Sequence, residues 1–267
     1  MENGISLYPG LDNTPDENLA LLEKAAQAGI RRVFTSLHIP ETDVAALKQE
    51  IGSLLRAARR HHMEVISDVS PATCKLLDLP EFTPTSFRML GITTLRLDYG
   101  FSAEEMARLT HRFPEMRFQL NASTITNRIL KDLQDAGTDF SHIDALHNFY
   151  PRRGTGLSEP ALVHANILLH RYGIRVGAFV ASQGRRRSPL GDGLPTLEEH
   201  RDETAELSAR HLVALGCDSV FLADSLPTDE EIQAIGQLQG DQVTLHAHYM
   251  TKDPIQRELL AHTFTSR

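Results

Sequence analysis

The chain has 267 residues, 41% of them hydrophobic and 23% charged, with a formal net charge of −8, which fits two small domains or one large α/β barrel. The acidic balance argues against a nucleic-acid-binding surface, and the only cysteines, Cys74 and Cys217, argue against a disulfide framework or a cysteine zinc site. The amino-terminal sequence lacks a signal-peptide pattern and no apolar run approaches the roughly 18 residues of a membrane span, so we expect a cytoplasmic protein without a membrane or nucleic-acid partner.

Short apolar or β-branched runs alternate with helical patterns about every 30 residues, the length of one strand–helix unit. Eight runs predict strands, at residues 5–9, 32–38, 64–70, 94–100, 117–123, 144–150, 175–182 and 219–225. Helical patterns lie between them, at residues 14–29, 42–62, 102–113, 158–173 and 195–216. The last of these opens with Thr196 and Glu199 in capping-box spacing. The irregular stretch 70–93 predicts a short helix and a long loop.

This alternation predicts a closed parallel barrel or a doubly wound open sheet. The first turn, LYPGLDNT, lacks the GxGxxG pattern of an open dinucleotide-binding sheet. We therefore expect a (β/α)8 TIM barrel over residues 1–240, with the catalytic site. Residues 242–250 predict an extra ninth strand, and residues 241–267 as a whole form that strand and a charged tail.

The active sites of such barrels lie at the carboxyl-terminal ends of the strands. Polar side chains end the predicted strands and are expected to meet there: Asp68, Asp98, Asn121, Asn148, Tyr150 and Asp224. Converging carboxylates can supply the acid and the base of a glycosidase. The favoured pair is Asp98 with Asp68 or Asp224, and Glu198 is a further candidate. The alternative is that these residues only begin turns and cap helices.

Positive charge and glycine cluster in the loops after the sixth and seventh strands. Arg152 precedes the turn Gly154-Thr155-Gly156, and a helix is predicted to begin near Ser158. Loop amides, a helix start and a guanidinium suit a phosphate group. We therefore predict a phosphate site at Arg152, Gly154, Thr155 and Gly156. The HxH pair His246 and His248 lies on the extra strand rather than the first one, so neither a metal nor a cofactor is predicted.

Several segments resemble the bacterial 6-phospho-N-acetylmuramidase family. They are HNFYPRRGTGLS (147–158), RSPLGDGLPTLEEHR (187–201), LRLDYGF (95–101) and DVSP (68–71). The likeness runs from ISLYPG to the final residues. It places nine residues on family motifs: Asp68, Asp98, Asn148, Tyr150, Arg152, Arg187, Glu198, His200 and Arg201. One departure is Ser188, where the family pattern is expected to have glycine.

The resemblance implies a cytoplasmic glycoside hydrolase of peptidoglycan recycling, which splits N-acetylmuramic acid 6-phosphate from N-acetylglucosamine. It implies a TIM barrel followed by a smaller cyclophilin-like domain, which is expected to be absent from this chain. Asn148 and Tyr150 would contact the sugar, while Arg187, His200 and Arg201 join Asn121 and Arg152 as substrate-binding candidates. The anion held by the arginine loops is left open between the 6-phosphate and the lactyl carboxylate.

Two other readings remain open from the residues alone. The chain could be another barrel enzyme acting on a phosphorylated sugar, of the aldolase or isomerase type, although no lysine lies at a predicted strand end for a Schiff base. It could also bind a sugar phosphate without turnover. The expected partner is a phosphorylated amino-sugar disaccharide, and a homo-oligomer is possible.

Overall fold

The computed structural model describes residues 1–37, 42–69, 73, 83–97, 100–242 and 247–263. Eight parallel strands close into one barrel in sequence order, which confirms the predicted (β/α)8 fold. The strands are β1 (Gly4–Leu7), β2 (Arg32–Ser36), β3 (Glu64–Asp68), β4 (Thr94–Arg96), β5 (Arg117–Asn121), β6 (Ile143–Leu146), β7 (Val176–Val180) and β8 (Ser219–Leu222). The described helices are α1 (Pro15–Gln27), α2 (Val44–Arg60), α3 (Pro84–Leu90), α4 (Ala103–Arg112), α5 (Asn127–Asp135), α6 (Glu159–His170), α7 (Ala205–Ala214), α8 (Asp229–Gly236) and α9 (Pro254–Ala261).

The strand register determines which side chains meet at the carboxyl-terminal end, here called the mouth. β1 pairs with both β2 and β8, which closes the barrel. Along the neighbouring strands, Ser36 lies opposite Asp68, and Asp68 lies opposite Arg96. The register therefore places the end of β3 and the end of β4 side by side at the mouth.

Two apolar clusters stabilise the barrel. The larger one lies between the strands and the surrounding helices. The smaller one joins side chains of β2, β7 and β8, including Phe34, Phe179 and Phe221. Gly4 is needed beside it, because a Cβ at this position would lie 2.1 Å from the Phe221 ring. Burial of these rings stabilises the packing of the strands.

A charged network occupies the amino-terminal end of the barrel, the end opposite the mouth. Arg32 is buried, and its Nε lies 2.7 Å from a carboxylate oxygen of Glu64. A second donor of Arg32 bonds to Asp144, which also accepts from Gln119 at 3.0 Å. Thr94 donates to Glu64 as well. The guanidinium of Arg32 is thus neutralised by two carboxylates, as buried charges require.

The predicted start of one helix is wrong. The helix predicted over 195–216 begins only at Ala205, with Thr204 as its N-cap, and residues 198–200 form a separate 3₁₀ turn. Thr196 does not cap a helix, because its hydroxyl accepts from the amide of Phe179 and donates to the carbonyl of Asn148, both at 2.9 Å. Side-chain hydrogen bonds to β7 and to the loop after β6 thus override the local capping pattern.

The carboxyl-terminal segment also differs from the prediction. Residues 242 and 247–250 are not part of a strand, and residues 243–246 lie outside the described part of the chain. The segment continues into α9, none of whose residues is buried. Among the described residues, no helix combines the length and apolar character needed to span a bilayer.

Candidate active site

An ion pair and a hydrogen bond join three strands at the mouth. Nε of Arg96 lies 3.5 Å from a carboxylate oxygen of Asp68, whose side chain is 24% exposed. The Nη2 group of Arg96 donates to the amide oxygen of Asn148 at 2.7 Å and to the carbonyl of Leu146 at 3.3 Å. Two predicted site residues, Asp68 and Asn148, therefore meet through a buried arginine that sequence reasoning did not select.

Asn148 is fixed by its neighbours on both sides of the chain. Its backbone amide donates to the hydroxyl of Ser123 at 2.8 Å, and its carbonyl accepts from Thr196. Ser123 also bonds to Nδ1 of His147, and Nε2 of that ring bonds to Asn166 on α6. Burial lowers the pKa of His147 to about 4, so the ring is neutral and donates from Nε2. This chain of bonds holds the Asn148 side chain against Arg96.

Arg187 lies among aromatic rings at the mouth. Its guanidinium carbon is 5.1 Å from the centre of the Tyr8 ring and 5.0 Å from that of Phe149. Phe149 packs edge-on against Phe179 and Phe34 of the barrel interior. The hydroxyl of Tyr8 donates to the carbonyl of Ala223 at 2.6 Å, and burial raises its pKa. The rings therefore form a rigid base beneath the guanidinium.

Asp224, a predicted catalytic residue, is enclosed by backbone amides. It is 0% exposed and accepts from Ser182 at 2.9 Å, Arg187 at 3.0 Å and Leu194 at 3.3 Å. Burial raises the pKa of its carboxyl, while these hydrogen bonds oppose the increase. Because its oxygens face protein amides, Asp224 fixes the loop after β7, and we do not propose it as catalytic.

Glu198 and Arg201 lock the loop after β6 to the loop after β7. The carboxylate of Glu198 accepts from the amides of Gly154 and Gly156, both at 2.8 Å, and from two donors of Arg201 at 2.7 Å. The Arg201 hydrogen bonds, followed by these amides, lower the pKa of Glu198 to about 2. Arg201 also donates to the carbonyls of Tyr150 and Arg152, at 3.0 and 3.1 Å. The carboxylate therefore binds the two loops together as an anion, and we do not propose it as a proton donor.

The predicted phosphate loop is already occupied by this carboxylate. The amides of Gly154 and Gly156, which were expected to face a phosphate, donate to Glu198 instead. A Cβ at Gly156 would lie 2.7 Å from the backbone nitrogen of Glu198, so only glycine permits the close approach. Thr155 donates to the carbonyl of Arg152 at 2.6 Å, which closes the turn. In this structure, the anion bound by these two amides is the carboxylate of Glu198.

The other predicted residues have separate positions. Asn121 is buried at the end of β5, and its amide oxygen accepts from the amide of Ser123 at 3.0 Å. Tyr150 is partly buried, and Arg152 is exposed. His200 is buried, and burial followed by His211 lowers its pKa to about 4. Asp98 lies outside the described residues.

One group of described side chains has a composition that could hold a metal: Glu199, His200 and His211, with ligand atoms within 4.8 Å of one another. In the structure, the two imidazoles hydrogen-bond to each other at 2.9 Å. Glu199 and His200 lie on the 3₁₀ turn and His211 lies on α7.

The mouth residues that sequence reasoning missed are Arg96, Tyr8 and Phe149. Arg96 is two positions before Asp98, and this period-two spacing was a usable signal. Tyr8 and Phe149 follow β1 and β6, but an aromatic residue beyond a strand usually predicts only packing. Their contact with Arg187 depends on loops distant in sequence.

Most of the chain matches a known protein family. Residues 3–237 match the family described as 6-phospho-N-acetylmuramidase, N-terminal. No curated protein matches the sequence. Thiamine phosphate pyrophosphorylase from Pyrococcus furiosus aligns with 88% of this chain and 93% of its own, at 9% identity and a TM-score of 0.50, which shows only the shared barrel.

Two solved structures are similar in sequence as well as in fold. An uncharacterized protein from B. cereus is 31% identical over 90% of this chain, with a TM-score of 0.75. A conserved protein of unknown function from Enterococcus faecalis is 32% identical over 89% of this chain, with a TM-score of 0.77. The chain spans 66% of the length of each. With seven-eighths of its residues inside the matched range, the chain belongs to the 6-phospho-N-acetylmuramidase N-terminal family.

Proposed function

We propose that the protein is a glycoside hydrolase that cleaves the bond between N-acetylmuramic acid 6-phosphate and N-acetylglucosamine. Family membership supports the reaction class. The observation that carries the proposal for this chain is the contact of Asp68 with Arg96 and of Arg96 with Asn148 at the barrel mouth. The proposal includes a role in peptidoglycan recycling in the cytoplasm, which rests on the family resemblance alone.

Glycoside hydrolysis needs one carboxylic acid to protonate the leaving oxygen and one carboxylate to attack the anomeric carbon or activate water. The ion pair with Arg96 presents Asp68 as a carboxylate, the form that a base or nucleophile requires. Asp224 and Glu198 are bonded to backbone amides and are poor candidates for the acid. Asp98 follows Arg96 by two positions in the sequence and remains our candidate for that role.

Asn148 is our candidate for contact with the sugar. Its amide oxygen is held by Arg96, which leaves the amide nitrogen to donate to a sugar oxygen. A donor fixed in this way needs little reordering when substrate binds, which favours tight positioning. Tyr150, two residues later, is the candidate aromatic platform for an apolar sugar face.

The direct test is incubation of the purified protein with N-acetylmuramic acid 6-phosphate–N-acetylglucosamine, followed by mass spectrometry. We expect the two monosaccharides to form, and Asp68→Asn to abolish their formation. Calorimetry with the same disaccharide separates an enzyme from a protein that only binds. Binding without any product, or turnover that survives both Asp68→Asn and Asp98→Asn, contradicts the proposed chemistry.

A further inference from the structure

We propose that Arg187 binds the phosphate group of the substrate, in a site formed by Arg187, Tyr8 and Phe149 at the barrel mouth. This inference rests on the proposed function and identifies the anion-binding group within it. It replaces the loop from Arg152 to Gly156 as the predicted phosphate site.

The first argument is that Arg187 is buried and that no described residue accepts a hydrogen bond from its guanidinium. The residue is 9% exposed, and its Nε is fully buried with no partner among the described residues. No described carboxylate or carbonyl accepts from its guanidinium. A guanidinium has five N–H donors, and burying a charge without an acceptor is strongly unfavourable. Bound oxyanion oxygens would supply the missing acceptors.

The second argument is that the nearby carboxylates are used elsewhere. Asp224 accepts from the backbone amide of Arg187, and Asp12 accepts from the backbone amide of Ser188 at 2.9 Å. Asp12 also accepts from the hydroxyl of Ser225 at 2.5 Å. The chain thus fixes the backbone of this loop with two carboxylates, while neither one forms an ion pair with the Arg187 guanidinium. The position of the arginine is determined. Its charge acts on Asp12 without a direct ion pair, and its N–H donors are left for another group.

The third argument is the shape of the surroundings. The Tyr8 and Phe149 rings lie about equally far from the guanidinium carbon, at 5.1 and 5.0 Å. Aromatic faces attract the cation but offer no hydrogen-bond acceptors in the guanidinium plane. A planar fork held in this way is preorganised for bidentate contact with a phosphate.

The other buried arginines near the mouth, Arg96 and Arg201, already have described acceptors. Arg96 forms an ion pair with Asp68 through Nε, which makes no hydrogen bond to a described residue, and donates from Nη2 to Asn148, while Arg201 bonds to Glu198. The neighbours of Arg187 in sequence are also engaged, Arg185 with Glu17 and Arg186 with the carbonyls of Ser182, Asp192 and Arg201. Among the residues that the structure describes, Arg187 is the buried cation of this region that retains its full hydrogen-bonding capacity. A phosphate dianion needs such a cation more than a singly charged carboxylate does.

The test compares two substrates that differ only in the phosphate. Wild type, Arg187→Met and Arg187→Lys are assayed with the disaccharide carrying or lacking the 6-phosphate. We expect Arg187→Met to lower kcat/KM for the phosphorylated disaccharide by about 100-fold, the effect of losing a bidentate charge-assisted contact. The unphosphorylated disaccharide should be affected less than about threefold. Arg187→Lys, which keeps the charge, should recover part of the loss.

A binding measurement separates this inference from the proposed reaction. Calorimetry with N-acetylmuramic acid 6-phosphate, and with the same sugar lacking phosphate, reports the preference for phosphate even if no bond is cleaved. Arg175→Met, at an exposed arginine at the opposite end of the barrel, is the matched control and should keep the preference. Circular dichroism and thermal unfolding verify that each variant is folded.

Two results would overturn the inference. Equal losses for both sugars would show that Arg187 supports the fold or binds the lactyl carboxylate instead. Arg152→Met could instead lose the phosphate preference while Arg187→Lys and Arg187→Met keep it. That result would show that the loop after β6 binds the phosphate. If Arg187→Met does not fold, Arg187→Lys provides the test. Unchanged affinity and unchanged kcat/KM for both sugars in this variant would contradict a bidentate contact.

Discussion

The two ends of the barrel each contain a buried arginine, and the two arginines differ in what surrounds them. At the amino-terminal end, Arg32 bonds to the carboxylates of Glu64 and Asp144. At the mouth, Arg187 has two aromatic rings and no acceptor among the described residues. A buried charge that is paired within the protein contributes to the fold. A buried charge without a partner in the protein can bind an anionic ligand.

The comparison predicts that chemistry is confined to the mouth. Asp68→Asn should lower kcat by about 10²–10⁴-fold, the range for loss of a general base. Steady-state kinetics on the phosphorylated disaccharide measures the effect. Asp132→Asn, at an exposed carboxylate on α5, is the control and should retain activity. A decrease of less than tenfold in Asp68→Asn would mean that another residue is the base.

The opposite end should respond in stability rather than in rate. Asp144→Asn leaves the buried Arg32 with one carboxylate, and we expect the free energy of unfolding to fall by about 3 kcal/mol. Urea unfolding measures this value, and kcat of the folded fraction should be unchanged. A large decrease in kcat with normal stability would show that the two ends are functionally coupled.

The Glu198 network should have an intermediate effect. Glu198→Gln removes the charge that Arg201 and two loop amides share, so we expect a loss of about 2 kcal/mol, as for hydrogen bonds to charged groups. Hydrogen exchange at Gly154 and Gly156 should accelerate in the variant. Unchanged protection at both amides would mean that the carboxylate does not hold this loop.

Stability should also depend on pH through two buried histidines. His147 and His200 each have a pKa lowered from 6.5 to about 4 by burial, so the unfolded chain binds protons first as the pH falls. Their contribution to stability is fully present above pH 6.5 and is lost as the pH decreases toward 4. Urea midpoints between pH 7 and pH 4.5 should therefore fall, with a smaller slope in His147→Gln. A flat profile over this range would contradict the neutral assignment.

The smallest effect is expected at an exposed ion pair that belongs to neither end. Lys24 on α1 lies 2.7 Å from Asp229 on α8, and both side chains are more than half exposed. Lys24→Met should change the free energy of unfolding by less than about 0.5 kcal/mol. A loss near that of Asp144→Asn would mean that burial does not explain the difference between these ion pairs.

The fold could be predicted from sequence because its signals are local. Period-two and period-3.6 patterns give the strands and most helices, and strand order then follows from the βα repeat. Asp68 and Asn148 could be selected for the same reason, as polar residues at strand ends.

The state of each candidate residue could not be predicted in this way. Gly154 and Glu198 are 44 residues apart, and the contact that fills the predicted phosphate loop depends on two loops meeting in space. From its sequence position Asp224 is a catalytic candidate, but in the structure its carboxylate accepts from three backbone amides. Whether a polar group is already satisfied is a tertiary property, and it determines which candidates remain open to substrate.

The bonding of Asp224 has a consequence for how this protein could change specificity. The carboxylate of Asp224, just after β8, accepts from the backbone amides of Ser182, Arg187 and Leu194. The segment between these residues follows β7, but it is held in place by a residue that follows β8. Substitutions beneath β8 can therefore displace Arg187 without touching it. Packing changes around β8 would then change the preference for substrate at the site proposed for Arg187.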